Sequence, residues 1–223
     1  MISARLAFLA LLVAGISCKK SSSGNQQPLV DPYMSQAAGN SWTYEQVNNI
    51  TTLISTNIVT STNRDSTING KSYHVFTNSS GAVNDYYNIT GNDYFTFRNL
   101  VALGSSSVEH IYLKDNASAG TSWNQTITIA PFSGVPTTVP LTITNTIAEK
   151  NITRNINGKT YDNVIHITTT LSSSGLPPGS LTTDIQTYYA PKYGMIESRN
   201  KITTTLLTGS NIDQVTTLKT TNF

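Results

Sequence analysis

The chain has 223 residues, a formal net charge of +2 and 12% charged residues, where an ordinary soluble domain has about 25%. This length suffices to bury a core. The single cysteine excludes an intrachain disulfide. No cluster of basic residues indicates a nucleic-acid-binding surface. The chain is rich in Thr and Asn instead of charged residues. Thr is favourable in strands and Asn is favourable in turns.

Residues 1–17 have the three parts of a secretory signal peptide. Arg5 is their only charge, residues 6–14 are all apolar, and small residues follow. The apolar run is too short for a transmembrane helix, which needs about 20 residues. A buried N-terminal helix is the alternative, but a polar segment directly after the run disfavours it. We therefore predict a signal peptide over residues 1–17.

Cys18 follows this segment directly. Small residues and then a Cys at the end of an apolar run resemble the lipobox of bacterial lipoproteins, although Gly15 stands where that family has Leu. The resemblance implies that Cys18 becomes the first mature residue, with a diacylglycerol on its sulfur and an acyl chain such as palmitate on its amine. Lys19 in place of Asp implies the outer membrane, with the face of that membrane left open. A free thiol is the alternative.

The lipidated Cys and a flexible tether are predicted to occupy residues 18–36, because Ser, Gly and Gln dominate the first part of this range. One short helix is predicted within and just beyond it. Asp31 could cap the helix, Pro32 suits its first position, and Gly39 could follow its end. An irregular loop is the alternative for the same residues.

A single all-β domain is predicted for residues 37–223, with ten to twelve antiparallel strands. Asn-Gly pairs at 69–70 and 157–158 predict two hairpins. The expected architecture is an open or half-closed barrel, or a sandwich, with at most one short helix. The clearest strand signals are runs of Thr, Ile, Val and Leu at 50–62, 139–149, 163–171 and 201–208.

Three short motifs occur twice in the same order. The pairs are AGNSW and AGTSW (38–42 and 119–123), INGKSY and INGKTY (68–73 and 156–161), and Tyr-Tyr (86–87 and 188–189). Their order predicts two related β units at about 38–112 and 119–210. The first interpretation is duplicated turns and core aromatics; the second is an aromatic binding groove shared between the two units.

No catalytic, cofactor-binding or metal-binding residue is predicted. The histidines lack the spacing of zinc sites, no Gly-x-Ser-x-Gly motif is present, and sequence alone cannot pair the aspartates. His166 is expected on the solvated face of its strand, opposite Ile165 and Ile167. We therefore expect a protein that is not an enzyme. The side chains considered were His74, His110, His166, Asp85, Asp93, Asp162 and Asp184.

Two segments resemble uncharacterised Gram-negative outer-membrane lipoproteins. Gly39–Glu45 (GNSWTYE) has their Gly-x-x-Trp-x-Tyr pattern, and Tyr188–Arg199 (YYAPKYGMIESR) has their Tyr-Tyr-Ala-x-x-x-Gly pattern followed by two hydrophobic residues. The resemblance implies an antiparallel β fold, broadly like the lipoprotein carriers of the periplasm. It brings no known catalytic residues.

Three classes of function stay open from the sequence. The first is a lipid-anchored envelope lipoprotein whose non-catalytic β domain binds a ligand, either a glycan or an apolar molecule, or acts as a scaffold. The second is a periplasmic carrier of lipids or acyl chains, which requires an apolar cavity. The third is a secreted hydrolase, which requires converging carboxylates or a Ser–His pair within hydrogen-bonding reach. The oligomeric state is not predicted.

Overall fold

The computed structural model describes residues 31–81, 84–98, 108–129, 137–205 and 211–223. Their regular structure is entirely β, which confirms the predicted fold class. Cys18 and the predicted signal peptide lie outside the described residues. The strands are β1 (Ser41–Asn48), β2 (Ile54–Ile68), β3 (Lys71–Asn78), β4 (Asp85–Thr90), β5 (Asp93–Arg98), β6 (Val108–Lys114), β7 (Ser122–Ile129), β8 (Val139–Ile156), β9 (Lys159–Ser172), β10 (Leu181–Ala190), β11 (Gly194–Thr204) and β12 (Ile212–Thr221).

All twelve strands belong to one antiparallel sheet. Its order is β6-β5-β4-β3-β2-β1-β12-β11-β10-β9-β8-β7. Strands adjacent in the sequence therefore pair within each half, the β1–β12 ladder joins the two halves in the middle of the order, and β6 and β7 are its two ends. The sheet curls into a nearly closed, barrel-like shape. Of the predicted architectures, the barrel is therefore the one formed. No helix within the described ranges has the length and hydropathy needed to cross a membrane.

The two Asn-Gly pairs form the predicted hairpins. The φ angles are 51° at Asn69 and 80° at Gly70, and 52° at Asn157 and 82° at Gly158. Two successive positive φ angles define the type I′ turn, which matches the twist of the flanking strands. The turns join β2 to β3 and β8 to β9.

Each of the repeated motifs occupies corresponding strands in the two halves, β1–β6 and β7–β12. The Trp lies on the first strand of its half, the Asn-Gly turn lies between the second and third, and the Tyr pair lies on the fourth. The three motifs thus keep their order in both halves, while β12 (Ile212–Thr221) lies beyond the predicted end of the second unit at about residue 210. The interpretation that the two units are related stays a prediction.

The main core fills one end of the barrel, which we call the floor end. Trp42, Phe76, Ile147, Ile196 and Leu218 are almost completely buried there. These residues come from strands of both halves, so the core ties the whole sheet together. A second, smaller apolar cluster lies between β7 and β8 and consists of Ile127, Ile129, Val139 and Leu141. We call the opposite end of the barrel, where β5 ends and β6 begins, the mouth end.

Residues 31–40 close the floor end as an irregular segment, so the predicted helix is wrong and its alternative is correct. The backbone N–H of Tyr33 donates to the Tyr94 hydroxyl (3.1 Å), and the Tyr33 hydroxyl donates to the Asn163 carbonyl (2.6 Å). Pro32 accepts a hydrogen bond from the Lys192 N–H (2.7 Å). The backbone N–H of Tyr33 and the backbone carbonyl of Pro32 thus bond to the barrel instead of forming helical hydrogen bonds within the segment. Tyr33 is only 5% exposed, although the sequence assigned it to the tether.

Side chains join the two edge strands, β6 and β7, which share no backbone ladder among the described residues. The Trp123 indole N–H donates to the Ile111 carbonyl (2.8 Å), and the Gln125 amide donates to the Glu109 carbonyl. Asn145 of β8 also donates to the Ile111 carbonyl (3.1 Å). We call this junction the seam. It completes the circumference of the barrel through side-chain donors.

Candidate functional site

A cavity of about 530 Å³ lies inside the barrel and is the candidate functional site. Small-molecule sites in proteins have volumes of about 300 to 1,000 Å³, so its size suits a small ligand. Its floor consists of aromatic and apolar side chains that belong to the main core or pack against it. They are Met34, Tyr44, Tyr87, Tyr112, Ile167, Tyr189 and Met195.

Polar side chains line the walls nearer the mouth end. They come from strands of both halves, and several of them carry amide groups that both donate and accept hydrogen bonds. The cavity therefore combines an apolar end with a polar end. The principal wall residues are Gln46, Asn57, Asn78, Asp85, Arg98 and Asn200.

Arg98 supplies a positive charge to this cavity. One guanidinium nitrogen donates to the Tyr87 hydroxyl (3.1 Å). The side chain lines the cavity and is exposed to solvent. Interaction with Tyr87 and then with Asp85 raises the pKa of Arg98 above its already high value. The group is therefore a permanent cation inside the barrel.

The tyrosines of the floor are neutral hydroxyl groups. Burial is the main cause that raises the pKa of Tyr44, Tyr87, Tyr112 and Tyr189 above the ordinary value. Tyr112 lies at the centre, with ring centroids 5.8 Å from Tyr87 and 5.4 Å from Tyr189. The Tyr44 hydroxyl donates to the Met195 carbonyl (3.1 Å). The floor thus offers aromatic surface together with phenolic hydroxyls.

His110 lies where the seam meets the cavity wall. Its Nε2 is 3.1 Å from the Asn145 amide nitrogen, and its Nδ1 is 3.4 Å from the Gln125 amide oxygen. Burial lowers the pKa of His110, and the charge of Arg98 lowers it further against an opposing contribution from Gln125. The imidazole is therefore neutral at pH 7, so Arg98 and Asp85 carry the charges that line the described cavity.

His74 belongs to a hydrogen-bonded Ser–His–Asp row. Its Nε2 is 2.9 Å from Ser61 Oγ, and its Nδ1 is 2.8 Å from Asp65 Oδ1. This is the Ser–His pair that the hydrolase alternative requires. However, Ser61 is 1% exposed, its hydroxyl also donates to the Gln36 carbonyl (3.1 Å), and none of the three row members lines the cavity. We interpret these three hydrogen-bonded residues as a structural connection between β2, β3 and the N-terminal segment.

The expectation that His166 is solvated is wrong. It is 8% exposed, its Nδ1 is 2.8 Å from Glu149 Oε2, and its ring stacks on Tyr188 at 4.2 Å. The ladder between β8 and β9 shifts register beside Glu149. His166 is also directly opposite Tyr188 in the β9–β10 ladder, so Tyr188 and Glu149 cover it, and Ile165, His166 and Ile167 are all buried.

The four aspartates considered from the sequence do not converge. Only Asp85 lines the cavity; Asp93 pairs with Lys114 (2.8 Å), Asp184 lies 3.9 Å from Arg199, and Asp162 accepts from Thr153. No group of three or more His, Cys, Asp or Glu side chains that could hold a metal ion occurs in the described ranges.

Sequence reasoning missed Arg98, and of the floor tyrosines it singled out only Tyr87 and Tyr189, through the second interpretation of the repeated motifs as an aromatic groove shared between the units. A signal for Arg98 was present, because alternate residues of a strand share a face. Tyr94, Thr96 and Arg98 of β5 therefore face the same way, and Tyr94 and Thr96 are buried. The floor tyrosines come from β1, β4, β6 and β10, and only the closure of the barrel brings them together.

Two solved structures are similar to this chain. One is a candidate lipoprotein from Parabacteroides distasonis, with 10% identity and a TM-score of 0.49; the match covers 86% of this chain and 99% of that one. The other is a candidate exported protein with a YmcC-like fold from Bacteroides fragilis, with 8% identity, a TM-score of 0.48 and coverage of 86% and 100%. No protein-family model and no curated protein sequence matches the chain.

Proposed function

We propose that this protein is a lipid-anchored lipoprotein of the cell envelope whose β domain binds a small amphipathic ligand in the barrel cavity without catalysing a reaction. The cavity, with its aromatic floor and polar walls, carries the binding part of the proposal. The lipobox-like sequence ending at Cys18 supports the anchor. The outer membrane is the proposed location, with its face left open.

The lining distinguishes among the ligand classes predicted from the sequence. An acyl chain that filled the cavity would remove the wall amides and Arg98 from water without giving them hydrogen bonds, which is costly. A ligand with an apolar or aromatic body fits the tyrosine floor, and polar groups on the same ligand can bond to Asn57, Asn78 or Asn200. A pure scaffold would not need an unfilled interior of this size.

The buried Ser61 is the reason for proposing a non-catalytic role. A serine nucleophile must be reached by its substrate and must lie near donors that stabilise an oxyanion. Ser61 is covered by the N-terminal segment, and its hydroxyl is already bonded to the Gln36 carbonyl. We expect a fluorophosphonate probe to leave Ser61 unlabelled in the folded protein.

The dye phenylnaphthylamine, which fluoresces when an apolar site excludes water, tests the binding proposal. We expect one dye molecule per chain in the wild-type protein. Thr216 lines the cavity and its neighbour Thr217 does not, because successive residues of a strand point to opposite faces. Thr216→Trp should fill the cavity and weaken dye binding about tenfold or more, as expected if roughly 1.4 kcal/mol or more of binding free energy is lost.

Thr217→Trp is the matched control and should bind the dye as the wild-type protein does. Circular dichroism and thermal melting should establish that both variants are folded. Absence of dye binding to the wild-type protein would contradict the proposal. Equal binding by a folded Thr216→Trp variant would do the same, because it would place the dye outside the cavity.

A further inference from the structure

Arg98 differs from most other cations of the described structure. Six lysine and arginine side chains lie within 4.0 Å of a carboxylate oxygen. Arg98 lines the cavity but makes no such pair within the described ranges. Its one hydrogen bond there goes to the neutral hydroxyl of Tyr87.

A guanidinium group carries five N–H donors in a planar fork that matches the oxygens of a carboxylate, phosphate or sulfonate. Arg98 lines the cavity, and its one hydrogen bond within the described ranges, to Tyr87, leaves donors of the fork available to a ligand. Hydrogen bonds between a guanidinium group and an anion are charge-assisted and stronger than those between neutral groups. Asp85 lies beyond ion-pair distance and accepts a hydrogen bond from Asn78 (3.3 Å), so it does not occupy the fork.

The aromatic floor lies next to this cation. Tyr87 bonds to Arg98 directly, and Arg98 is close enough to Tyr112 and Tyr189 to interact electrostatically with both. The Tyr112 hydroxyl forms no hydrogen bond with any described residue and adjoins the cavity. An anionic group at Arg98 would therefore sit directly beside a flat apolar body on the tyrosine rings.

We propose that Arg98, with Tyr87 and Tyr112, forms an anion-binding subsite, and that the ligand is an aromatic or apolar molecule carrying a carboxylate, phosphate or sulfonate. This inference rests on the proposed function, because it assigns the acidic group of the ligand to one place in the cavity. Asp85 opposes the anion through its own charge and thereby limits the affinity.

Two dyes that differ by one sulfonate test the subsite. Anilinonaphthalenesulfonate has the skeleton of phenylnaphthylamine with a sulfonate added. Arg98→Gln should weaken binding of the sulfonate dye about tenfold or more, the loss expected for a hydrogen-bonded charge pair, and should weaken phenylnaphthylamine binding much less. Asp85→Asn should strengthen binding of the sulfonate dye. Arg64→Gln, at an exposed position outside the cavity, should change neither.

Arg98→Lys keeps the proposal testable if Arg98→Gln does not fold. It retains the charge but not the fork, and we expect an intermediate loss of affinity for the sulfonate dye alone. Unchanged binding of the sulfonate dye in a folded Arg98 variant would overturn the subsite. That result differs from failure of the proposed function, in which phenylnaphthylamine does not bind the wild-type protein.

The acidic group could belong to a soluble molecule or to a lipid headgroup. Displacement of the sulfonate dye by naphthyl phosphate would support a soluble aromatic acid, and displacement by monomeric lysophosphatidate would support a lipid phosphate. Either result supports the subsite if Arg98→Gln weakens the competitor as well. Displacement by neither compound would contradict the proposal.

Discussion

Single polar side chains determine the character of the barrel interior. Arg98 makes part of the cavity wall cationic, and His110 connects that wall to the seam. Alternation along β5 was sufficient to place Arg98 on the same face as buried residues. The environment of His110 was not predictable, because its partners Gln125 and Asn145 lie on other strands and reach it only in the closed sheet.

His110 should make stability depend on pH. Its pKa is lowered in the folded state, so the unfolded chain, with a His pKa of about 6.5, binds the proton more readily. The free energy of unfolding should therefore be fully retained above about pH 6.5 and decrease as the pH falls below it. Urea denaturation of the wild-type protein and of His110→Gln between pH 7.5 and about 5 should measure this effect.

The relevant quantity is the difference between the two pH profiles, because every other ionisable group is the same in both proteins. We expect a flatter profile for His110→Gln over this range. Arg98, Gln125 and Asn145 face the imidazole from β5, β7 and β8, and all three are retained in the variant. Parallel profiles would show that protonation of His110 costs no stability.

Local and non-local elements differ in how well the sequence predicted them. The β2–β3 and β8–β9 hairpins were predicted because the Asn-Gly turn is encoded by two adjacent residues. The segment 31–40 was assigned partly to the tether and partly to a helix, because its Asp-Pro start has the pattern of a helix N-terminus. Its actual conformation depends on acceptors and donors in β5, β9 and the β10–β11 turn, which a local pattern cannot reveal.

The N-terminal segment should contribute strongly to stability through Tyr33. Tyr33→Ala removes a buried ring that packs edge-on to Tyr94 at 6.4 Å and should lower the free energy of unfolding by about 3–5 kcal/mol. Tyr33→Phe removes only the hydrogen bond to the Asn163 carbonyl and should cost about 1 kcal/mol. Urea denaturation measures both values. If Tyr33→Ala unfolds at the wild-type urea concentration, the segment does not pack as described.

At the scale of the whole molecule, the all-β class and the strand number followed from the composition and the turn signals, because both are spread along the chain. The cavity did not follow, since its lining comes from both halves of the sheet. The size of a barrel interior depends on strand number and tilt together with side-chain volumes. The sequence gives the strand number approximately and the tilt not at all, so a filled interior and an open one were equally compatible with it.

Cys18 should determine where the whole protein resides. Two or more acyl chains give stable membrane anchoring, at about 0.8 kcal/mol per buried CH₂, so Cys18→Ala should move the protein from the membrane fraction to the soluble fraction. Ser22→Ala, in the same polar stretch, is the control and should sediment as the wild-type protein does. Fractionation followed by immunoblotting measures the distribution. Unchanged sedimentation of Cys18→Ala would contradict the lipid anchor.

The seam also bears on association between copies of the chain. Edge strands ordinarily present unpaired carbonyl and N–H groups on which another chain can add a strand, and such addition leads to aggregation. In this protein the carbonyls of Glu109 and Ile111 on β6 already accept hydrogen bonds from Gln125, Trp123 and Asn145. An incoming strand would have to displace those donors before it could pair. The side chains that complete the circumference thus protect this edge against intermolecular β-sheet growth.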